Sequence, residues 1–376
     1  MLKLEKLKAA LVFNTIIDHT GTHRSNVRQI RAFLDLAGYE VHVFPIQKQS
    51  DLTRLIKTLK EGAYNLVHCE QGHFLSLSLN GRSIFEELNV SVFSQIRDHW
   101  FYPWVWPNLK KSPETATVFH TSELILDIKD RLPGRHFHTL HTSQLNHGRL
   151  SGADSSVAKP RIFYSGSCLD VETVLDNARR HSSPALIDHI MDETGDAVQI
   201  PEWIWALELQ DEETVLLNQE SLELTAFYKL FELARTRVRT NILNVVAQRD
   251  ATLFVKGGWV PPKNAKCLFF DTPISFEVSN SLSMQADCVF SDQATFRNEI
   301  GERVATALDL GQHVIARSTP NLLGHQNRVT EKLHLYSSLD DLNDTLEKSQ
   351  QMKAEKRQIT PQYQISNYVN KLIELS

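Results

Sequence analysis

The chain has 376 residues, of which 41% are hydrophobic and 23% are charged, and its formal net charge at pH 7 is −5. This length exceeds that of a typical single core and predicts two domains. Nucleic-acid binders usually carry a basic excess, so we expect no nucleic-acid partner. No apolar run reaches the ~18 residues of a membrane helix, and the first residues do not resemble a signal peptide. We therefore expect a cytoplasmic protein without a membrane span.

Metal binding is not expected from the sequence. The four cysteines lie far apart and form no Cys-x-x-Cys pair, so neither a zinc site nor a disulfide framework is predicted. Of His136, His138, His141 and His147, the first two would share one face of a strand, but no carboxylate or cysteine has a fitting spacing. Arg235, Arg237 and Arg239 on one predicted helix are candidates for a solvated basic face or a phosphate clamp.

Strand-like and helix-like segments alternate in the first half of the chain. The predicted strands are residues 9–17, 40–46, 65–69, 91–96, 115–120 and 137–141, and the predicted helices are residues 24–36, 51–61 and 122–131. Residues 142–160 are polar, contain glycine, serine and proline, and have no periodicity, which is typical of a linker. Residues 1–150 are therefore predicted to form one domain.

The alternation resumes after the linker and predicts a second domain over residues 151–360. A strand at 161–166 precedes a mainly helical region, residues 170–248. The remaining predicted strands are residues 252–256, 268–270, 288–290, 314–316 and 334–336, and the remaining helices are residues 275–284, 298–310 and 339–352. A final helix within 361–376 is expected to pack back toward the first domain.

This pattern predicts an α/β fold with two doubly wound, Rossmann-like domains, because strands that alternate with helices form parallel sheets covered on both faces. In such sheets the ligand lies outside the carboxyl ends of the strands. Residues that directly follow strands are therefore the candidate functional residues.

One segment of the second half resembles a known family. In residues 296–316, Gly301 stands at a predicted helix start ten residues before Gly311, and the segment ends in a strand. This is similar to the nucleotide-sugar segment of GT-B glycosyltransferases. Thr306 stands where that family commonly has a ribose-binding glutamate. Glu302 and Arg303 resemble the acidic–Arg pair of the branch related to spore-maturation-type glycosyltransferases. Residues 161–167, 250–259 and 335–342 resemble other segments of the same branch.

The resemblance implies two Rossmann-like domains that face each other across a cleft, and transfer of a sugar from a nucleotide-diphosphate sugar, such as a UDP-sugar, to a glycan, protein or lipid-linked acceptor. The donor is a substrate, so no resident cofactor is expected. Independence from metal ions is expected because the Asp-x-Asp motif of GT-A enzymes is absent from the sequence.

The donor site implied by the resemblance lies in the second domain. A diphosphate needs backbone N–H groups, a helix amino end and cationic side chains. The candidate residues are Ser165, Gly166, Ser167, Lys256, Gly258, Phe276, Glu277, Gly301, Glu302, Arg303 and Thr306. For the glycines, simple turn geometry is the alternative interpretation.

The candidate catalytic residues lie in three loops of the first domain that follow predicted strands. They are Asp98, His99, His23 and His73, with Asp98 and His99 preferred as the general base that takes the acceptor proton. For each histidine, the alternative interpretation is an ordinary structural role. The aromatic run over residues 100–107 either stacks on the acceptor or packs in the core.

Three other functions share this fold class. A dinucleotide oxidoreductase would show Gly-x-Gly-x-x-Gly after the first strand, where this chain has only Gly21. A sugar-nucleotide epimerase would form its product without an acceptor. The third is a non-catalytic relative that binds a partner or a glycan. The presence of Thr306 in place of the family's usual glutamate is compatible with this function.

Overall fold

A computed structural model describes residues 7–18, 21–120, 123–139, 160–295, 297–298, 300–309, 311–326, 331–349 and 365–375 of the chain. By its internal contacts the chain divides into two compact units. The first unit comprises Met1–Arg149 and Tyr363–Ser376, and the second comprises Leu150–Gln362. Most of the predicted linker, residues 142–159, lies outside the described residues.

Strands and helices alternate along the first unit. In chain order they are β1 (Lys8–Asn14), α1 (Thr22–Leu36), β2 (Glu40–Ile46), α2 (Gln49–Glu61), β3 (Leu66–Glu70), β4 (Ser78–Leu79), β5 (Arg82–Ser83), α3 (Ile84–Glu87), β6 (Ser91–Ile96), α4 (Trp106–Lys110), β7 (Thr117–His120) and β8 (His136–Thr139). Between β7 and β8 the chain forms a 3-10 helix, Glu123–Arg131, where the sequence predicts an ordinary helix.

Six strands of the first unit form one parallel sheet in the order β2-β1-β3-β6-β7-β8, and β4 and β5 form a short antiparallel pair. Numbered along the chain, the six strands run 2-1-3-4-5-6, so the order reverses between β1 and β3. Ligands of doubly wound sheets bind at the carboxyl ends of the two strands beside this reversal. The loops after β1 and β3 are therefore the positions to inspect.

Helix α1 follows the loop after β1. Buried side chains hold one face of this helix against the core, and hydrogen bonds hold its amino end. Val27 and Leu34, at helical spacing, are buried in the core. The carboxylate of Asp18 accepts hydrogen bonds from the backbone N–H groups of His23 and Arg24, at 2.9 and 3.1 Å. These bonds satisfy N–H groups that a helix start otherwise leaves unpaired.

Strands and helices also alternate along the second unit. They are β9 (Ile162–Ser167), α5 (Val171–Arg179), α6 (Pro184–Glu193), α7 (Glu202–Trp205), β10 (Glu208–Leu209), β11 (Thr214–Leu217), β12 (Glu220–Glu223), α8 (Leu224–Val246), β13 (Ala251–Lys256), β14 (Leu268–Phe270), α9 (Phe276–Gln285), β15 (Cys288–Ser291), α10 (Glu302–Asp309), β16 (His313–Arg317), α11 (Pro320–Gln326), β17 (Leu333–Tyr336) and α12 (Leu339–Ser349).

The sheet of the second unit is also parallel, in the order β14-β13-β9-β15-β16-β17. Numbered along the chain it runs 3-2-1-4-5-6, the order of dinucleotide-binding Rossmann domains. On one face, Leu253 and Phe290 pack with side chains of α8 and α12. On the other face, Phe163 and Phe254 pack against α9. The prediction of two Rossmann-like, doubly wound domains is confirmed.

Two features of the second unit differ from the prediction. The region predicted as mainly helical does consist mostly of helices, α5 to α8, but it also contains a three-stranded antiparallel sheet, β10-β11-β12, that was not predicted. Its strands have two to four residues each, which is too short to show a period-2 pattern in the sequence. The helix predicted over residues 298–310 begins only at Glu302, which makes Gly301 the residue immediately before it.

The last helix of the chain, α13 (Ile365–Leu375), belongs to the first unit. Its Val369 and Leu372 are 1% and 0% exposed and share one hydrophobic cluster with Leu11 and Phe93 of the first sheet. Helix α13 also contacts α1. The end of the chain therefore supplies part of the core of the first unit.

Candidate functional site

In the second unit the strand order reverses between β9 and β15, and buried polar groups lie where these strands end. Asp292 directly follows β15 and is 2% exposed. A buried carboxylate is stable only if it is paired and hydrogen-bonded. The partners of Asp292 therefore define the first candidate site.

Asp292 is held by groups from several elements of the second unit. The hydroxyl of Tyr164 on β9 donates to Oδ2 at 2.6 Å, and Nη2 of Arg239 on α8 donates to Oδ1 at 3.0 Å. The backbone N–H of Ala294 also donates to Oδ1, at 2.9 Å. Nη1 of Arg239 donates to the carbonyl of Ser167, at 2.6 Å. We call Tyr164, Arg239 and Asp292 the Asp292 network.

The Asp292 network is a neutral ion pair with a protonated tyrosine. Burial raises the pKa of Asp292, but Arg239 and then Arg303 outweigh burial and hold that pKa far below its usual range. Burial lowers the pKa of Arg239, but Asp292 and Tyr164 outweigh it and raise that pKa. Burial raises the pKa of Tyr164, so its hydroxyl remains a hydrogen-bond donor. The network thus fixes the loop after β15 without adding net charge.

The amino end of α10 lies beside this network. Gln293 is 1% exposed, and its Oε1 accepts the backbone N–H of Gly301 at 3.2 Å. Its Nε2 atom is buried and has no hydrogen-bond partner in the described part of the chain. In the first turn, the guanidinium of Arg303 lies 5.7 Å from the centre of the Tyr164 ring and is exposed. A helix amino end with an amide donor and an arginine is suited to an anion.

The donor-site candidates Ser165, Gly166 and Ser167 lie inside the first strand of this unit and do not form a turn after it. Strand β9 continues to Ser167, and Ser165 and Ser167 pair with Phe254 and Lys256 of β13. A β-carbon on Gly166 would overlap the Tyr164 hydroxyl and lie 2.7 Å from Cζ of that ring. Gly166 therefore makes room for the Asp292 network.

Lys256 is the last residue of β13, and Gly258 lies in the loop after it, which is tied to the residues after β9. Lys256 is exposed, and its carbonyl accepts the N–H of Cys168 at 3.0 Å. Gly257 accepts the N–H of Asp170 at 3.1 Å. Gly258 has φ 98°, a conformation that favours glycine. Gly258 has a structural role in this loop, and its contact with a donor stays a prediction.

The remaining predicted donor contacts lie at or near helix starts. Phe276 is the first residue of α9 and is 9% exposed, and Glu277 follows it in the first turn. Glu302 is the first residue of α10, and Thr306 lies further along that helix with 8% exposure. Their contacts with a nucleotide sugar stay predictions.

The three arginines of α8 do not form one basic patch. Arg239 enters the Asp292 network, Arg237 donates to a backbone carbonyl of α6 at 3.3 Å, and Arg235 lies 3.8 Å from Glu232. Asp292 is not among the functional residues predicted from the sequence. A carboxylate directly after a buried strand was the signal that could have identified it.

In the first unit the loops after β1, β3 and β6 bring polar side chains to one edge of the sheet. Glu70, the last residue of β3, is 0% exposed. Its carboxylate accepts hydrogen bonds from Nδ2 of Asn26 at 2.9 Å, from Nε2 of His68 at 3.0 Å and from the guanidinium of Arg97. We call these four residues the Glu70 cluster. Burial raises the pKa of Glu70, but Arg97 and His68 outweigh it and lower that pKa to about 2.

His23 and His73 lie close together next to this cluster. Their ring centres are 6.0 Å apart. Burial lowers the pKa of His23, and burial together with His23 lowers the pKa of His73 to about 4. Both side chains are therefore neutral at pH 7 and have a nitrogen lone pair that can take a proton. Among the predicted catalytic residues, the structure brings these two into ring proximity, and the carboxylate of Asp98 lies near enough to act on the pKa of both.

Asp98 and His99 differ from each other in their surroundings. The carboxylate of Asp98 accepts a hydrogen bond from Nε1 of Trp104 at 3.0 Å, and its backbone carbonyl accepts one from His120 at 2.7 Å. His99 is 3% exposed, and its ring stacks on Phe101 with the ring centres 5.1 Å apart. His99 is thus packed among aromatic side chains, whereas Asp98 is half-exposed.

The aromatic run of the first unit is mostly core. Trp100, Phe101, Tyr102 and Trp106 are each at most 5% exposed. Trp104 is 42% exposed and lies edge-on to Tyr102, with ring centres 4.8 Å apart. The packing interpretation holds for four of these side chains, and Trp104 alone among the five offers a large surface for stacking.

The residues that the structure describes contain neither a grouping of side chains for a metal ion nor a membrane-spanning helix. Within those residues, no group of three or more His, Cys, Asp or Glu side chains is arranged to hold a metal ion. His136 and His138 lie on β8, and His141 and His147 lie outside the described ranges. In the same described ranges, no helix combines the length and apolarity needed to cross a membrane.

No protein-family model and no curated protein matches the chain. Among solved structures, the chain is similar to an alpha-glucosyltransferase in complex with UDP and a 13-mer DNA containing a HMU base, with 9% identity and a TM-score of 0.48, over 98% of this chain and 95% of that chain. It is similar to a putative UDP-N-acetylglucosamine 2-epimerase from Listeria monocytogenes, with 9% identity and a TM-score of 0.44, over the same shares. The description of the fold rests on the strand order of the two sheets.

Proposed function

We propose that the protein is a glycosyltransferase that moves a sugar from a nucleotide-diphosphate sugar to a hydroxyl group of a glycan, protein or lipid-linked acceptor. The amino end of α10 carries this proposal. It lies where the strand order of the second sheet reverses, beside the buried Nε2 of Gln293, which has no partner in the described residues, and the exposed Arg303. A diphosphate would accept hydrogen bonds from the amide and the helix N–H groups and would pair with the arginine.

The Asp292 network supports the same role. An unpaired carboxylate next to a diphosphate would repel it, but Arg239 neutralises Asp292. Tyr164 and Arg239 also hold the residues after β15, and with them Gln293, in one position. A site that is ordered before its ligand arrives loses less conformational entropy on binding.

In the proposed reaction, the acceptor oxygen forms a bond to the anomeric carbon of the sugar. The bond from that carbon to the diphosphate oxygen breaks, and the diphosphate leaves with the electron pair. Donors at the α10 amino end and Arg303 stabilise its charge, so no metal ion is required. A general base takes the proton of the acceptor hydroxyl, and the candidates for this role are His23 and His73, whose side chains are neutral at pH 7.

Calorimetry with UDP, GDP, ADP and dTDP tests the donor site. We expect one of them to bind, and we expect Arg303→Ala to weaken that binding by about 1.5–3 kcal/mol, the contribution of a charge-assisted hydrogen bond. The matched control is Arg161→Ala, because Arg161 lies at the amino end of β9 and pairs with Asp250. Equal losses in both variants, or no binding of any diphosphate, would contradict the donor assignment.

Product analysis then separates the possible reactions. Incubation of the protein with the nucleotide sugar that carries the preferred base should release free diphosphate only slowly until an acceptor is added. Conversion of the sugar nucleotide into an isomer without acceptor would indicate an epimerase. Tight binding with no turnover would indicate a non-catalytic binding protein.

A further inference from the structure

Buried polar atoms without partners occur on one side of α1. Ser25, Asn26 and Gln29 are 1%, 1% and 6% exposed. Within the described part of the chain, Oγ of Ser25, Oδ1 of Asn26 and both amide atoms of Gln29 make no hydrogen bond. Unpaired buried polar atoms destabilise a fold, so their concentration on one helix points to a partner from outside the chain, either ordered water or a ligand.

These atoms form one patch at the reversal of strand order in the first sheet. Ser25 and Gln29 are four residues apart, and Asn26 and Gln29 are three apart, so they neighbour one another on the helix surface. His23 is three residues before Asn26, and its Nδ1 is also buried and unpartnered among the described residues. Asn26 uses its Nδ2 to reach Glu70 at the end of β3. We call His23, Ser25, Asn26 and Gln29 the α1 polar patch.

Among the described residues, the charged groups around this patch leave no positive charge free for an anionic ligand, because His23 lies near the carboxylates of Asp18, Glu70 and Asp98 and the single guanidinium of Arg97. The carboxylate of Asp18 occupies the amino end of α1, where an anionic ligand would otherwise bind. Glu70 is paired with Arg97. The atoms of the patch that lack hydrogen-bond partners among the described residues are uncharged, and they include both donors and acceptors. Hydroxyl groups can both donate and accept a hydrogen bond, so they match such a set.

We infer that the α1 polar patch binds an uncharged ligand rich in hydroxyl groups, that is, a sugar or another polyol. This inference depends on the proposed function in one respect, the role of the ligand. In a glycosyltransferase the bound sugar would be the acceptor. The binding itself is independent of any nucleotide, so it can be measured without a donor.

The first experiment compares stability with binding in the variant Gln29→Met. Methionine has a similar shape but no polar atoms, so the free protein should become more stable, with a Tm increase of about 2 °C or more. The matched control is Gln312→Met, because Nε2 of the buried Gln312 donates to the carbonyl of Met284 at 3.1 Å and only its Oε1 lacks a partner among the described residues, so its Tm should rise less than that of Gln29→Met or should fall. A clear Tm decrease in Gln29→Met would show that its amide is already paired and would overturn the inference.

The second experiment follows the backbone amide NMR signals of residues 22–30 in the full-length protein during titration with D-glucose and maltose. We expect saturable shifts in the wild type and at least a tenfold weaker response in Gln29→Met. Glucose 6-phosphate is the charged comparison and should bind no better than glucose. Absence of shifts with both neutral sugars, or a stronger response to the phosphate, would overturn the inference.

These experiments distinguish failure of the proposed sugar site from failure of the proposed glycosyltransferase function. If no nucleotide diphosphate binds but glucose or maltose shifts the α1 signals, the glycosyltransferase proposal fails and the sugar site remains. If a diphosphate binds and Gln29→Met retains full acceptor turnover with unchanged KM, the sugar site fails and the donor site remains.

Discussion

The hydroxyl group of Tyr164 lies in the space that a β-carbon on Gly166 would occupy. The two residues are next-but-one neighbours on β9, and the tyrosine reaches from this strand to Asp292 at the end of β15. Glycine is thus required at position 166 because the Tyr164 hydroxyl, which bonds to Asp292, fills the space beside it. A positive φ is not the reason for this glycine. This relationship joins the strand that begins the second unit to the candidate donor site.

Gly166→Ala should destabilise the protein. The new methyl group would displace the Tyr164 hydroxyl from Asp292, and overpacking of this kind lowers the free energy of unfolding by about 1–3 kcal/mol. Chemical denaturation checks the value. The control is Gly324→Ala, because Gly324 lies in α11 with nothing within 4 Å of the new β-carbon, so this change should be neutral or stabilising. Equal effects of the two substitutions would contradict the steric explanation.

The sequence predicted the two doubly wound domains because their helices and strands are long enough to show periodicity. Helix α1 and strand β6, for example, lie within two residues of their predicted bounds. The sheet β10-β11-β12 was missed because its strands are short. The start of α10 was placed four residues too early, since sequence periodicity does not fix the first turn of a helix.

The candidate sites were less predictable because their residues are distant in sequence. Tyr164 and Asp292 are 128 positions apart, and Asn26 and Glu70 are 44 apart. Their pairing depends on which strands become neighbours in the sheet, and the local periodicity of a sequence does not indicate that order. His23 and His73 could be proposed separately from their positions after strands, but their proximity and lowered pKa values come from the folded arrangement.

Glu70→Gln should change how stability depends on pH. In the folded protein the pKa of Glu70 is about 2, below the ~4.3 of an unfolded chain, so the unfolded state binds more protons between these values. Stability of the wild type should therefore fall as pH falls through this window. Glu70→Gln should reduce that slope, and at pH 7 it should lower the free energy of unfolding by about 3 kcal/mol, because Arg97 loses its buried partner.

Urea denaturation at pH 7, 4.5 and 3 measures both effects of Glu70→Gln. The control is Glu61→Gln, because Glu61 is an exposed acid at the end of α2 that lies 3.9 Å from Lys57. This control should leave the slope and the stability near those of the wild type. An unchanged slope in Glu70→Gln would show that the pKa of Glu70 is not depressed in the folded protein.

His73→Gln should slow transfer without weakening donor binding. Loss of a general base lowers kcat by about 10²–10⁴-fold, whereas the Kd for the nucleotide diphosphate should stay the same. Because the pKa of His73 is about 4, activity of the wild type should persist below the ~6.5 of an ordinary histidine. Asp98→Asn is the comparison, since it leaves an oxygen that can accept the bond from Trp104. Full activity in His73→Gln with loss in Asp98→Asn would assign the base to Asp98.

Leu372→Ala should show that the end of the chain is part of the first core. Leu372 is 0% exposed and packs in the cluster that contains Leu11 and Phe93, so its truncation leaves a cavity. A loss of about 2–5 kcal/mol in the free energy of unfolding is expected. Leu375→Ala on the same helix is the matched control, because Leu375 is 41% exposed and its change should cost much less. Similar, small effects of both substitutions would mean that α13 does not contribute to the core, and the first unit would then fold from its amino-terminal residues alone.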